Sequence, residues 1–175
     1  MGAVEDKLAI QEVLWRYCRA MDRMDAPLAL GCFEPDAELV YSTLYRGGPE
    51  GFVAWLWPVH ARMVGHVHSV SNILVELGPA ATAASEAYVQ VTLRMELDGE
   101  LVDLIGKGRY LDRWRRAPEG WRISRRTYVS DLGSVVPVGR RDVSAVLSPA
   151  TPGLTAVAAR RDASDPSYDV LGLVG

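Results

Sequence analysis

The stretch LWRYCRAMDRMD, Leu14 to Asp25, decides how the rest of the chain is read. At roughly 100° per residue, Leu8, Trp15, Cys18 and Asp22 fall on one face of a helix running from about residue 4 to residue 23. Asp22 therefore continues an apolar stripe. A carboxylate almost never enters an interior unless something pairs with it, so the helix predicts a partner for Asp22 on a later element. The chain offers two candidates, His68 and the pair Arg125 and Arg126.

Working outward from that helix, Asp25 can cap a second, shorter one, since Pro27 suits a first helical turn and Gly31 lies near its end. AELVYSTLY, Ala37 to Tyr45, reads as a strand. GGPEG, Gly47 to Gly51, is a turn that sets a proline at the start of FVAWLWPVHARMV, a helix interrupted at Pro58. After Gly65 the period becomes two. His66, His68, Val70, Asn72 and Leu74 share one face of a strand over 66–77, and Val67, Ser69, Ser71, Ile73 and Val75 share the other.

Over 81–97 the odd positions, including Ala87, Val89, Val91, Leu93, Met95 and Leu97, are apolar, and the even ones are polar or amphipathic. Asp98-Gly99 signals a hairpin into LVDLIGKGRYLDRW, and APEG, Ala117 to Gly120, a further turn into WRISRRTYVSD. Helices first and long antiparallel strands afterwards argue for an α+β fold, a cone-shaped curved antiparallel sheet wrapped around the N-terminal helices. From Leu132 onward, Pro137, Pro149, Pro152 and Pro166 separate only short apolar patches. The expected division is a domain over 1–131 and an irregular tail over 132–175 that packs on the domain or on a partner subunit.

Composition narrows the function. The chain has 175 residues, 49% hydrophobic and 23% charged, which fits one ordinary globular domain. Net charge is -3 with the signs interspersed, so no nucleic-acid surface is expected. MGAVEDKLAI lacks a basic segment followed by an apolar core, and no apolar run approaches the roughly 18 residues of a membrane span. Cys18 and Cys32 lack metal-ligand spacing and read as reduced core thiols in a cytoplasmic protein. The apolar odd face of 81–97 needs a cover, for which a homodimer or higher homo-oligomer formed through the sheet is the usual solution.

A cone closed by helices has a cavity at its wide end. If Asp22 and His68 both point there, the carboxylate accepts from one ring nitrogen, fixes the tautomer and makes the other nitrogen a better base. The bland alternative is a solvated Asp22 and a hydrogen-bonded core histidine. His66 and His68 could seat a metal, but a third ligand such as His60 or Glu76 would have to converge on them, and nothing in the spacing demands it. No metal is therefore expected. Tyr17 lies roughly 140° around the helix from Asp22 and reaches the same cavity only if the helix is broadly buried. Arg125 and Arg126 point to opposite faces unless a bulge intervenes, and either could face inward to stabilise an anion. Trp15, Tyr41, Trp55, Asn72 and Tyr88 are the expected substrate contacts.

Taken together these stretches resemble the SnoaL-like branch of the nuclear transport factor 2-like superfamily, which includes scytalone dehydratase, gamma-hexachlorocyclohexane dehydrochlorinase and bile-acid 7α-dehydratase. AIQEVLWRYCRAMDRMD resembles the family's first helix, with its aspartate at Asp22, and DAELVY and GPEGF the strand and turn that follow. HVHSVSN resembles the strand whose catalytic histidine falls on His68, and GWRISRRTY the last strand, where the dehydrochlorinase arginine falls on Arg126. The spacing of Tyr17 and Asp22 is similar to that of the bile-acid dehydratase. The resemblance implies a cofactor-independent lyase acting on a small, apolar, cyclic molecule, with His68 as base, Asp22 orienting it, and Tyr17 and Arg126 stabilising developing negative charge. A polyketide cyclase, a ketosteroid-isomerase-like proton shuttle, and a non-catalytic ligand-binding or scaffold module are the alternatives. No histidine follows His68, so the second active-site histidine of scytalone dehydratase has no counterpart here.

Overall fold

In the computed structural model, which describes residues 2–139 and 157–172, helix α1 spans Ala3–Arg23. Ile10, Leu14, Tyr17 and Met21 are its buried face, at the three- and four-residue spacing of a helical stripe. The stripe is thus rotated from the expected one. Leu8 and Trp15 are 55% and 47% exposed, whereas Cys18 is buried. Asp22 lies on the edge of the stripe that carries Leu8 and Trp15, and it is sheltered because a strand passes beside the helix's last turn. The helix stops at Met24, which takes a left-handed φ of 52°. Asp25 then accepts the Leu28 N–H at 2.9 Å and starts α2, Ala26–Gly31.

Strand β1, Phe33–Tyr41, begins earlier than expected and ends before Ser42, whose φ of 50° turns the chain. Tyr45–Gly47 forms β2 and folds back antiparallel on β1. Helix α3, Pro49–Ala61, continues through Pro58 without the expected interruption. The proline sits in the last turn, where it removes one donor and little helix remains to be broken. Strands β3 (Gly65–Leu77), β4 (Thr82–Leu97), β5 (Glu100–Ala117) and β6 (Gly120–Pro137) follow as an antiparallel meander. Asp98 and Gly99, with φ of 53° and 81°, make the tight turn that the sequence signalled.

Strand β6 returns to pair parallel with β1, so the curved, unclosed sheet has the order β2-β1-β6-β5-β4-β3 and β3 is an edge. This is the α+β architecture expected from the order of elements. The odd positions Ala83, Ala87 and Val89 of β4 join Ile10 and Leu14 in the core. The chain's own helices therefore cover the first part of that face, while Val91, Leu93 and Met95 are half-buried and Leu97 is exposed. Beyond the expected domain end at residue 131, β6 continues to Pro137.

The described part of the tail docks on α1. A short helix α4, Pro166–Val170, is capped by Asp165. The Tyr168 hydroxyl donates to Asp25 Oδ2 at 2.7 Å, Arg19 donates to Ser167 Oγ at 2.8 Å and lies 4.5 Å over the Tyr168 ring, and Arg23 pairs with Asp165 at 3.3 Å. The remainder of the expected tail, 140–156 and 173–175, lies outside the described residues.

Candidate active site

The last turn of α1 and the first half of β3 bring Asp22 and His68 together. Asp22 Oδ1 is 2.7 Å from His68 Nδ1, and the two carboxylate oxygens also accept the His68 backbone N–H at 3.0 and 3.1 Å. This double attachment fixes both the ring and the strand beneath it. A neutral imidazole that donates from Nδ1 carries its lone pair on Nε2, and among the described residues no hydrogen bond engages Nε2. The two side chains are 14% and 8% exposed, so the pair is sheltered without being sealed. Burial works to raise the Asp22 carboxyl, but the imidazoles of His66 and His68 outweigh it and hold the group below the usual carboxylate range.

His66 follows the same strand alternation and places Nδ1 3.6 Å from Asp22 Oδ1, too far for a hydrogen bond. Neither of its ring nitrogens has a partner among the described residues, although its side chain is fully buried. Of the two further residues considered, His60 comes close to the pair. Helix α3 packs on the end of α1, where Trp57 Nε1 donates to the Met24 carbonyl at 3.0 Å. This carries His60 to within 4.4 Å of His66 and 6.0 Å of His68, centre to centre. Burial, reinforced by the neighbouring imidazoles, pushes His60 down to about 3. From the tail, Arg161 donates to the His60 carbonyl at 2.7 Å. Glu76, the other ligand considered, lines a separate surface pocket with Gly78 and Arg113.

Tyr17 and Arg126 belong to a second cluster. Arg126 is fully buried, donates to both oxygens of Asp112 at 2.8 and 2.7 Å, and is held between the rings of Tyr17 and Tyr110 at 4.3 and 4.0 Å. The Tyr17 and Tyr41 hydroxyls bond at 2.8 Å. A register shift, in which Arg113 pairs with Arg125 and Trp114 with Ile123, inserts an extra residue and turns Arg126 inward while Arg125 faces solvent. Asp112 was not singled out from the sequence, although it stands between the buried residues Tyr110 and Trp114 at strand spacing.

The expected substrate contacts are divided. Tyr41 joins the buried cluster, and Trp55 stacks on Tyr45 with ring centres 5.4 Å apart. Trp15 and Tyr88 stay 47% exposed, and Asn72 occupies an exposed bulge of β3 with φ of 49°. Phe33, Phe52 and Tyr110 pack the interior expected to be a cavity. Beside Asp22 and His66 lies a cleft of about 860 Å³ whose lining also includes Met24 and Val64 together with Arg160 and Arg161 of the tail, but neither His68 nor His60. It is more polar than the apolar pocket expected from the sequence.

Residues 2–127 match the SnoaL-like domain. The chain belongs to the SnoaL-like family. A relative, the uncharacterized protein Rv2910c of Mycobacterium tuberculosis, is 31% identical over 130 residues, covering 72% of this chain and 86% of the relative. Among solved structures, a protein of Novosphingobium aromaticivorans provisionally described as an aromatic ring hydroxylase is 30% identical with a TM-score of 0.67, over 79% of this chain and 96% of that one. The hexachlorocyclohexane dehydrochlorinase LinA type 2 superposes with a TM-score of 0.64 at 17% identity, over 86% and 97% of the two chains, and shares the fold. Among the described residues, no helix is long and apolar enough to cross a membrane.

Proposed function

We propose that the chain is a lyase that eliminates a leaving group from a small, mostly apolar, ring-bearing molecule without an organic cofactor. The observation that carries this reading is the 2.7 Å contact between Asp22 and His68 Nδ1. In the proposed step His68 Nε2 takes a proton from a carbon next to an electron-withdrawing group, the C–H electrons become the new double bond, and the group on the adjacent carbon leaves with its bonding pair. Asp22 holds the tautomer needed to accept the proton and stabilises the imidazolium that results. Because burial would otherwise penalise that charge, the carboxylate is needed where it stands.

Tyr17 and Arg126, expected from the sequence to stabilise negative charge, lie in the closed cluster away from the cleft's lining, so the proposed step is carried by Asp22 and His68. The cleft lined by Asp22 and His66 meets the dyad on its Asp22 side and is the entry path this reading uses. Membership in the SnoaL-like family, with a dehydrochlorinase sharing the fold, supports the elimination class.

The test is a panel of cyclic compounds carrying a leaving group two carbons from an activating group, with the released group and the new double bond both measured. His68→Ala and Asp22→Asn should each lower turnover about 10²–10⁴-fold, the span of general-base catalysis, with unchanged circular dichroism. Near-normal turnover in either folded variant overturns the reading. Product formed without release of a group would replace elimination by isomerisation or cyclisation at the same base.

A further inference from the structure

The chain contains three histidines, two of which meet one carboxylate while the third stands beside them. His60, His66 and His68 come from the end of α3 and the start of β3, with ring centres 4.4 to 6.1 Å apart. Ligand atoms of Asp22, His66 and His68 all lie within 4.8 Å of one another. The elimination reading uses His68 and Asp22 and leaves His66 without a task.

His66 is the residue that needs an explanation. A buried polar atom normally has a partner. Here both nitrogens of a fully buried ring lack one, and His60 Nδ1 beside it lacks one too. An imidazole nitrogen with a free lone pair is the form that binds metal. Two imidazoles and one carboxylate form a donor set suited to a first-row divalent ion.

We infer that Asp22, His66 and His68 form a binding site for a divalent transition-metal ion of the zinc type, with His60 as the adjoining imidazole that serves as fourth ligand or outer partner. A tetrahedral ion with bonds of about 2.0–2.2 Å sets neighbouring ligand atoms about 3.4 Å apart. The 3.6 Å separation of Asp22 from a His66 nitrogen already fits, whereas the 2.7 Å contact with His68 must open to admit the ion. The Asp22 charge offsets part of the ion's, and the Arg161 guanidinium, bonded to the His60 carbonyl, works against it. The cleft that includes both Asp22 and His66 provides a path of entry. If His68 uses Nδ1 as its ligand atom, the ion breaks the Asp22 hydrogen bond, and it then inhibits the chemistry proposed above. Binding itself does not depend on that chemistry and is measured without substrate.

The decisive experiment titrates the full chain, carrying no histidine tag, with Co²⁺ and then displaces it with Zn²⁺. One ion per chain, a visible cobalt spectrum lost on adding zinc, and affinity weakened at least about 100-fold in His66→Ala and about 10–100-fold in His60→Gln are expected. Long-range ¹H–¹⁵N spectra of the unmodified protein give a readout free of folding effects, because with three histidines every ring nitrogen is assignable, and Zn²⁺ must move those of His66 and His68. Failure to saturate at one ion per chain, an unchanged affinity in folded His66→Ala, or ring nitrogens that do not move on saturation would overturn the assignment. Each of these outcomes leaves the elimination reading standing, since that reading rests on turnover in His68 and Asp22 variants.

Discussion

Asp22 among three imidazoles at the edge of the sheet, and Asp112 under Arg126 at its middle, are both carboxylates taken out of water, yet their partners differ in kind. Asp112 faces a guanidinium that never loses its proton, through two parallel hydrogen bonds, with both side chains fully buried. Asp22 faces imidazoles, a group that can accept and release a proton at nitrogen as a guanidinium cannot, and it keeps 14% of its side chain exposed. One pair is closed and electrically balanced. The other is open on one side and holds a lone pair ready. The contrast teaches that burial of an acid alone does not mark a site; the reactivity of its partner and a route to solvent do.

If that contrast is right, the largest loss of stability belongs to the closed pair. Asp112→Asn strands a buried guanidinium and should cost about 3–5 kcal/mol, read as a lower midpoint in urea. The double replacement Arg126→Met with Asp112→Leu removes both charges and should recover most of that loss. If instead the double variant is as unstable as the single one, the pair contributes more than charge balance and the comparison breaks.

The same substitution type at the open site should separate stability from activity. Asp22→Asn keeps an oxygen that can still accept the His68 backbone N–H, so its stability should change by no more than about 1.5 kcal/mol, the ordinary value of one hydrogen bond. Turnover should fall as stated above. A loss of stability as large as that of Asp112→Asn would make the two clusters alike and remove the argument for a reactive site.

Tyr17 sharpens the comparison because it touches the closed cluster from the helix that carries Asp22. Tyr17→Phe deletes the 2.8 Å hydrogen bond to Tyr41 and keeps the ring against Arg126. A loss of about 0.5–1.5 kcal/mol is expected. Turnover in the folded variant reports whether the hydroxyl also serves the substrate. Wild-type turnover assigns Tyr17 to packing alone.

These clusters were not equally legible. Asp22 stood out because helical spacing put a carboxylate in line with apolar residues, and His68 because period two fixed its face relative to its neighbours. Asp112 carries the same kind of signal, an acid between Tyr110 and Trp114 on one strand face. Arg126 was ambiguous for a physical reason: the extra residue in β6 before Arg125 reverses the alternation that starts at Trp121, and a bulge leaves no mark in composition. His60 could be placed only once α3 was seen to run through Pro58 and pack on the end of α1. Trp15 and Tyr88 were expected at the substrate because of their type, and type says nothing about which side of an element faces out.

The smallest expected effect concerns how the tail holds the open site. The Asp165 carboxylate accepts the Arg160 backbone N–H at 2.9 Å and the Ser167 backbone N–H at 3.1 Å, is hydrogen-bonded by the Ser167 hydroxyl, and pairs with Arg23. These contacts, the Arg160 bond foremost, hold its pKa well below the usual range. An acid whose folded pKa is depressed contributes stability above its unfolded value of about 3.9, and that contribution is lost as pH falls through the folded value. Docking of residues 157–172 should therefore be unaffected from neutrality to about pH 5 and loosen progressively below about pH 4, with Asp165→Asn already loosened at neutral pH. Hydrogen exchange of Ser167 and Tyr168 amides in the intact protein follows this directly. Since Arg161 reaches the His60 carbonyl from the same segment, loosening that spares the His60 amide region would show that the tail covers the site without positioning it.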